Sequence, residues 1–307
     1  MSLVTMINGK TEECLKLQKA LKIIKPLKEE FYTLSGNKAF DKKSYRTLEY
    51  DNRIDRKISC IIGTAFDYMA RFIILKYTKS SFNDVFENFI YYRTIRYLKE
   101  EVSIEELKKI ENLEDNINKS IKEYSLNSED LMPDRDMIIQ VCKMARLELY
   151  RRSGFIMTDN FIENLLGEEE GFVIEDLSKL GHDFINKFIS SDLIRTDSIV
   201  IYNPTFGAQS IKVGGADADI YIDGVLYDFK TTKNPGYASK EAMQIIGYYL
   251  LDYVCKLKNN TFECSLIGYD IEKVAFYKAR FGEIEIFDIN NIHKNKLDEA
   301  VEIYNSL

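Results

Sequence analysis

The hydrophobic period of this chain changes once, near residue 197, and that change restricts the folds open to it. Upstream, apolar residues recur at helical spacing for most of the length. Downstream, short apolar runs bounded by turn residues alternate with helical segments. That order argues for an α/β unit carrying a large helical region, not for an all-α or all-β chain.

The upstream half reads as successive helices. Leu15, Leu17, Leu21, Ile24 and Leu27 give a helical stripe over 10–32. Residues 60–77 are apolar almost all round from Cys60 to Phe72, so that helix is expected to be buried. Asp67 stands in its middle and must find a cation, a donor or a metal. Phe82, Val85, Phe86, Phe89, Ile90 and Ile95 set a helix over 82–98. Ile104, Leu107, Ile110, Leu113 and Ile117 form a narrow seam over 103–124. Met132-Pro133-Asp134 breaks the pattern and starts a helix over 134–152, followed by 159–166 and 174–190.

Beyond the switch, 198–204 reads as a strand, 210–221 as a second and 225–230 as a third. Asp223-Gly224 is the hairpin turn between the last two. A helix covers 239–258. Strand candidates follow at 264–269, 273–280 and 283–288, with a final helix over 290–305.

The chain has 307 residues and a mass of 35.8 kDa, enough for about two domains. The expected division is 1–195, mostly helical, and 196–307. Five cysteines, none in C-x-x-C spacing, argue against a disulfide framework or structural zinc and fit a reducing cytoplasm. No apolar run approaches 18 residues and no leader peptide is legible, so no membrane span is expected. Two histidines exclude a histidine-rich metal site, which leaves carboxylates and hard cations such as Mg²⁺ or Mn²⁺. The net charge is −7, but residues 16–60 carry twelve Lys and Arg against six Asp and Glu. Lys16, Lys19, Lys22, Lys25 and Lys28 recur every third residue, either as a solvated face or as a surface for phosphates.

The chemistry-bearing stretch runs from Gly214 to Lys233. Asp217 and Asp219 share one face of their strand, and Asp228 and Lys230 share one face of the next. The hairpin can bring those faces together. Neighbouring carboxylates repel, and a divalent cation removes that penalty. Lys230 beside it would hold an attacking water or stabilise charge on a phosphate. Those are the parts of metal-assisted phosphodiester hydrolysis.

Asp217 with Asp228-Phe229-Lys230 resembles the PD-(D/E)xK nuclease superfamily. Gly214-Gly215-Ala216-Asp217, then Asp228-Phe229-Lys230-Thr231, then Gln244-Ile245-Ile246-Gly247-Tyr248 resemble the G-x-x-D, D-x-K-T and Q-x-x-x-Y motifs of its RecB-like branch, in order. The similarity covers roughly 197–290. It implies a restriction-endonuclease-like α/β core, a mixed central sheet flanked by helices, with a large N-terminal or inserted helical region. It implies that Asp217, Asp228 and the Phe229 carbonyl ligate Mg²⁺ or Mn²⁺, and that Lys230 positions the water. Gln244 and Tyr248 would contact the nucleic-acid backbone or brace the site.

The family also uses an upstream helix with G-x-x-x-H, and Gly63-Thr64-Ala65-Phe66-Asp67 is similar with Asp in place of His. Asp67 is therefore a candidate ligand, followed by Glu175 and Glu148, while Gly181-His182 competes for the same role. If Asp67 joins the site, helix 60–77 belongs to the catalytic core and 78–195 is an insertion. The expected activity is a Mg²⁺- or Mn²⁺-dependent nuclease acting on DNA, with Tyr91-Tyr92 and Tyr248-Tyr249 as stacking candidates. The competing readings are a catalytically inactive nuclease-fold platform that binds nucleic acid or protein, and a phosphatase of small substrates.

Overall fold

A computed structural model describes residues 2–81, 89–126, 130–154, 161–258 and 264–307. The chain divides into two compact units, one formed by Met1–Arg46 with Ile199–Leu307 and the other by Thr47–Ser198. The change of hydrophobic period thus coincides with a unit boundary. The division at 195/196 is otherwise corrected: the first 46 residues belong with the sheet, and the inserted unit begins at Thr47.

The inserted unit is helical. α3 (Arg56–Tyr77) starts at Asp55, whose carboxylate accepts from Ile58 N at 2.8 Å. It is long and apolar enough to cross a membrane by length and composition, contrary to the reading of the sequence, but 67% of its apolar window is buried inside the protein. α4 (Ile90–Glu101), α5 (Ile104–Leu126), α6 (Arg135–Arg152), α7 (Phe161–Leu166) and α8 (Gly171–Phe184) complete the unit. α8 runs on into a π turn over Ile185–Ile189. Asp134 caps α6 through Met137 N at 2.8 Å, as Pro133-Asp134 foretold. Phe82, Val85 and Phe86 of the 82–98 segment, and the start of the 159–166 segment, lie outside the described residues.

The other unit begins with α1 (Leu3–Asn8) and α2 (Glu12–Ile24). The helix expected over 10–32 stops at Ile24, because Pro26 pushes Lys25 into an extended conformation (ψ 126°). A short strand β1 (Tyr32–Thr33) follows, which the polar sequence around it concealed. Then come β2 (Val200–Tyr202), the short helix α9 (Ala208–Lys212), β3 (Ile220–Ile222), β4 (Val225–Lys230), α10 (Ser239–Leu257), β5 (Lys273–Lys278), β6 (Glu283–Asp288) and α11 (Lys294–Asn305).

Two strand expectations fail here. Residues 210–221 do not form one strand, since Gly214 and Gly215 have φ of 76° and 122° and turn the chain between α9 and β3. In 264–269, Cys264 makes one bridge to Phe206 and the chain then turns.

The six strands form one mixed sheet in the order β1-β6-β5-β4-β3-β2. β4 and β5 are parallel and the other neighbours antiparallel, so the β4-α10-β5 passage is a crossover. Asp223 and Gly224 both have positive φ, 42° and 90°, as a tight hairpin requires. Leu226, Val274, Phe276 and Phe287 share one buried core with Leu17, Leu21 and Ile24 of α2 and Ile245, Ile246 and Leu250 of α10. This core carries the N-terminal residues into the sheet unit. Leu3 N donates to Gly215 O at 2.9 Å, and Leu3 lies so close to Gly247 that a Cβ there would stand 3.2 Å from Leu3 Cδ2.

Candidate functional site

The end of β4 and the first turns of α10 build the site. β4 is buried from Leu226 to Phe229, so its alternation decides what faces α10. Asp228 and Lys230 share that face, and Asp228 is 2% exposed. Lys230 Nζ lies 2.6 Å from Asp228 Oδ2 and 3.4 Å from Gln244 Oε1. Gln244 in turn donates through Nε2 to the Tyr248 hydroxyl at 2.9 Å. Gln244 and Tyr248 stand one helical turn apart on α10, so the two form a brace aimed at the lysine.

Asp219 is the acid tied to β4, because its Oδ2 accepts from Phe229 N at 2.7 Å. Asp217 precedes β3, and its backbone bridges to Thr205. Sequence reasoning placed the two acids on one face but carried only Asp217 into the site. The structure gives Asp219 the direct contact. Both nevertheless act on the same phenol: burial, then the charges of Asp228, Asp219 and Asp217, holds Tyr248 well above the ordinary tyrosine range. Tyr248 therefore stays protonated.

Burial pushes the Asp228 carboxyl up to about 7, against the pull of Lys230 and with the push of Asp219 and Glu241. Burial acts to lower Lys230, but Asp228, Asp219 and Glu241 outweigh it and hold the ammonium above its usual value.

A further charged layer stands beside this one. Pairing places Lys230 next to Lys278 and Lys278 next to Glu283, and likewise Asp228, Phe276 and Glu285 in one row. Lys278 is fully buried, 3.0 Å from Glu241 of α10 and 4.0 Å from Glu285. Glu285 Oε1 accepts from Tyr45 OH at 2.8 Å and Phe40 N at 2.9 Å. Burial pushes the Glu285 carboxyl up to about 7, opposed by Lys278, Tyr45 and Phe40. Sequence reasoning missed this layer. Its signal was the alternation of Glu283 and Glu285 in β6, which resembles a solvent-facing strand.

The remaining candidates lie in the helical unit. Asp67 is ion-paired with Arg71, one turn along α3, and Arg71 also lies over the rings of Tyr68 and Phe89. Buried Glu148 accepts from Tyr68 OH at 2.6 Å and Arg152 Nε at 2.7 Å. Glu175 and His182 are exposed on α8. The tyrosine pairs are not open stacking platforms: Tyr91, Tyr248 and Tyr249 are buried and Tyr92 is half-buried.

Among the described residues, no three His, Cys, Asp or Glu side chains converge as a preformed cage. The donor set nonetheless suits a hard cation of the Mg²⁺ type, which uses one or two carboxylates and keeps its other positions for water and phosphate oxygens. Asp228 Oδ2 is buried, and its close partner is the Lys230 ammonium at 2.6 Å. Compared with known proteins, the chain matches no family model, no curated protein and no solved structure.

Proposed function

We propose that this chain is a metal-dependent nuclease with a restriction-endonuclease-like core, hydrolysing phosphodiester bonds of DNA. The observation that carries the reading is the meeting of the Lys230 ammonium with buried Asp228 at the end of β4, 2.6 Å apart, beside Asp219, Gln244 and Tyr248. Chance D-x-K tripeptides are common, but most would leave both charges in solvent. Here the carboxylate is buried and its ammonium partner is mostly covered.

Asp228 and Asp217 would hold Mg²⁺ or Mn²⁺ with the Phe229 carbonyl. The bound ion would supply an acidified water and charge for the phosphoryl oxygens. Asp219 fixes the β3–β4 hairpin by holding Phe229 N–H. Gln244, itself held by the neutral Tyr248 phenol, keeps Lys230 Nζ at the strand end. There the lysine donates to the attacking water or to a non-bridging oxygen, where negative charge grows.

The test is a cleavage assay on linear, circular and single-stranded DNA and on RNA, with Mg²⁺, Mn²⁺ or EDTA. Metal-dependent cleavage by the parent chain that drops at least a hundredfold in Lys230→Ala supports the reading. No cleavage of any substrate, or cleavage equal in the variant, overturns it and leaves the buried ion pair as part of a binding platform.

A further inference from the structure

We propose that a collar of lysines around the 231–240 loop is the track on which the DNA backbone lies when it reaches Lys230. The inference rests on the nuclease reading and assigns its substrate path to particular residues. Two distant segments of the sheet unit build the collar, Lys25–Lys43 and Thr231–Lys240.

The loop that follows Lys230 is anchored from beneath by an aromatic cluster. Tyr237 packs edge-on against Phe40 at 5.3 Å and Phe31 at 6.4 Å, and its hydroxyl donates to Pro26 O at 2.6 Å. This anchoring brings cations to the loop. Lys25 Nζ donates to Ser239 Oγ at 3.0 Å and lies 5.4 Å from the centre of the Tyr237 ring. The Lys42 side chain runs along Gly236 so closely that a Cβ there would meet Lys42 Cε at 3.2 Å. Lys240 reaches Asn8 Oδ1 at 2.5 Å from the start of α10. The hydrogen bond from Lys43 N holds the Asp41 carboxyl below the usual range, helped by the Ser44 hydroxyl and then by the charges of Lys28 and Lys38. Lys38, Lys42, Lys43 and Lys240 are exposed.

The charge around the collar is what a polyanion requires. Residues 25–43 and 231–240 carry seven lysines against three acids, Glu29, Glu30 and Asp41; Asp41 accepts from Lys43 N and Ser44, Glu30 accepts from Leu27 N, and the adjoining Glu241 pairs with Lys278. Lys25 is held by a neutral hydroxyl and ring and Lys240 by an amide, so their charge is available to phosphates. Lys25 and Lys42 border the loop that leaves the strand end presenting Lys230, whereas residues 241–307 carry seven Lys and Arg against eleven Asp and Glu. The N-terminal part of the lysine stripe is a separate surface. Lys16 lies nine residues before Lys25, about 14 Å along the helix, and pairs with Glu12 at 2.9 Å.

The experiment measures binding without cleavage. Anisotropy of a fluorescent 20-base-pair DNA duplex is followed in EDTA over a salt series. The full chain is compared with Lys25→Ala/Lys42→Ala/Lys240→Ala and with Lys16→Ala/Lys19→Ala, each checked for an unchanged thermal transition. The collar variant is expected to bind on the order of 100-fold more weakly at 0.1 M salt, with a salt slope shallower by about three. The α2 variant is expected to bind as the parent does, and Lys25→Arg/Lys42→Arg/Lys240→Arg to restore both affinity and slope. Equal binding by the collar variant, or equal loss in the α2 variant, overturns the track. Collar-dependent binding by a chain that cleaves nothing supports the track while the nuclease reading fails, so the two are separable.

Discussion

Replacing Glu285 by glutamine isolates the cost of keeping charge inside the sheet. Glu285 has no exposed surface, and its carboxyl titrates near 7 in the folded chain against an ordinary value of 4.5, chiefly because it is buried. A carboxyl raised in this way contributes most stability below the unfolded value. That contribution is lost as pH climbs through the folded value, since the unfolded chain releases the proton first. Integrating between the two values gives about 3.4 kcal/mol in all, of which about 2.5 kcal/mol falls between pH 5 and pH 8.

Glutamine can keep the structural role. Both hydrogen bonds reach one oxygen, Oε1, from Tyr45 OH and Phe40 N, so an amide oxygen can accept both. The amide nitrogen then takes the place of Oε2, 4.0 Å from Lys278, whose ammonium retains Glu241 at 3.0 Å. Denaturant unfolding of parent and Glu285→Gln at pH 5 and pH 8 reads the difference, because every other titrating group is common to both. The variant is expected to gain on the parent by about 2.5 kcal/mol between the two pH values. A gain under about 1 kcal/mol would show that Lys278, Tyr45 and Phe40 already compensate the buried charge, and would refute the argument from burial.

Two further outcomes follow from the site. Asp219→Ala strips the acceptor from Phe229 N–H and is expected to cost about 1–3 kcal/mol in denaturant unfolding; a cost under about 0.5 kcal/mol would remove Asp219 from its structural role. Tyr248→Phe leaves the Gln244 amide without its hydroxyl partner. It is expected to lower cleavage about tenfold with KM for a DNA substrate nearly unchanged, and a change confined to KM would place Tyr248 in substrate binding instead.

What the sequence determined by itself is what depends on neighbours along the chain. Asp134 after Pro133 marks the start of α6, and the Asp223-Gly224 turn joins β3 to β4, since capping and turn geometry are settled within a few residues. Alternation placed Asp228 and Lys230 on one face before any contact was known, and the resemblance to the Q-x-x-x-Y motif singled out Gln244 and Tyr248, which the structure joins by a hydrogen bond. The strand read through Gly214-Gly215 and the helix read through Pro26 failed where a local breaker was passed over.

Tertiary structure decided the rest. The first 46 residues belong to the sheet unit because α2 and Leu3 fill a core whose other wall is two hundred residues away in the chain. The role of Asp219, the pairing of Lys278 with Glu241, and the burial that raises Asp228 and Glu285 all depend on strand register and crossover, which bring together residues that no local pattern relates. Local preference acts over a few residues. The charge, dielectric and hydrogen-bond partners of a site are set by segments that meet only when the chain has folded.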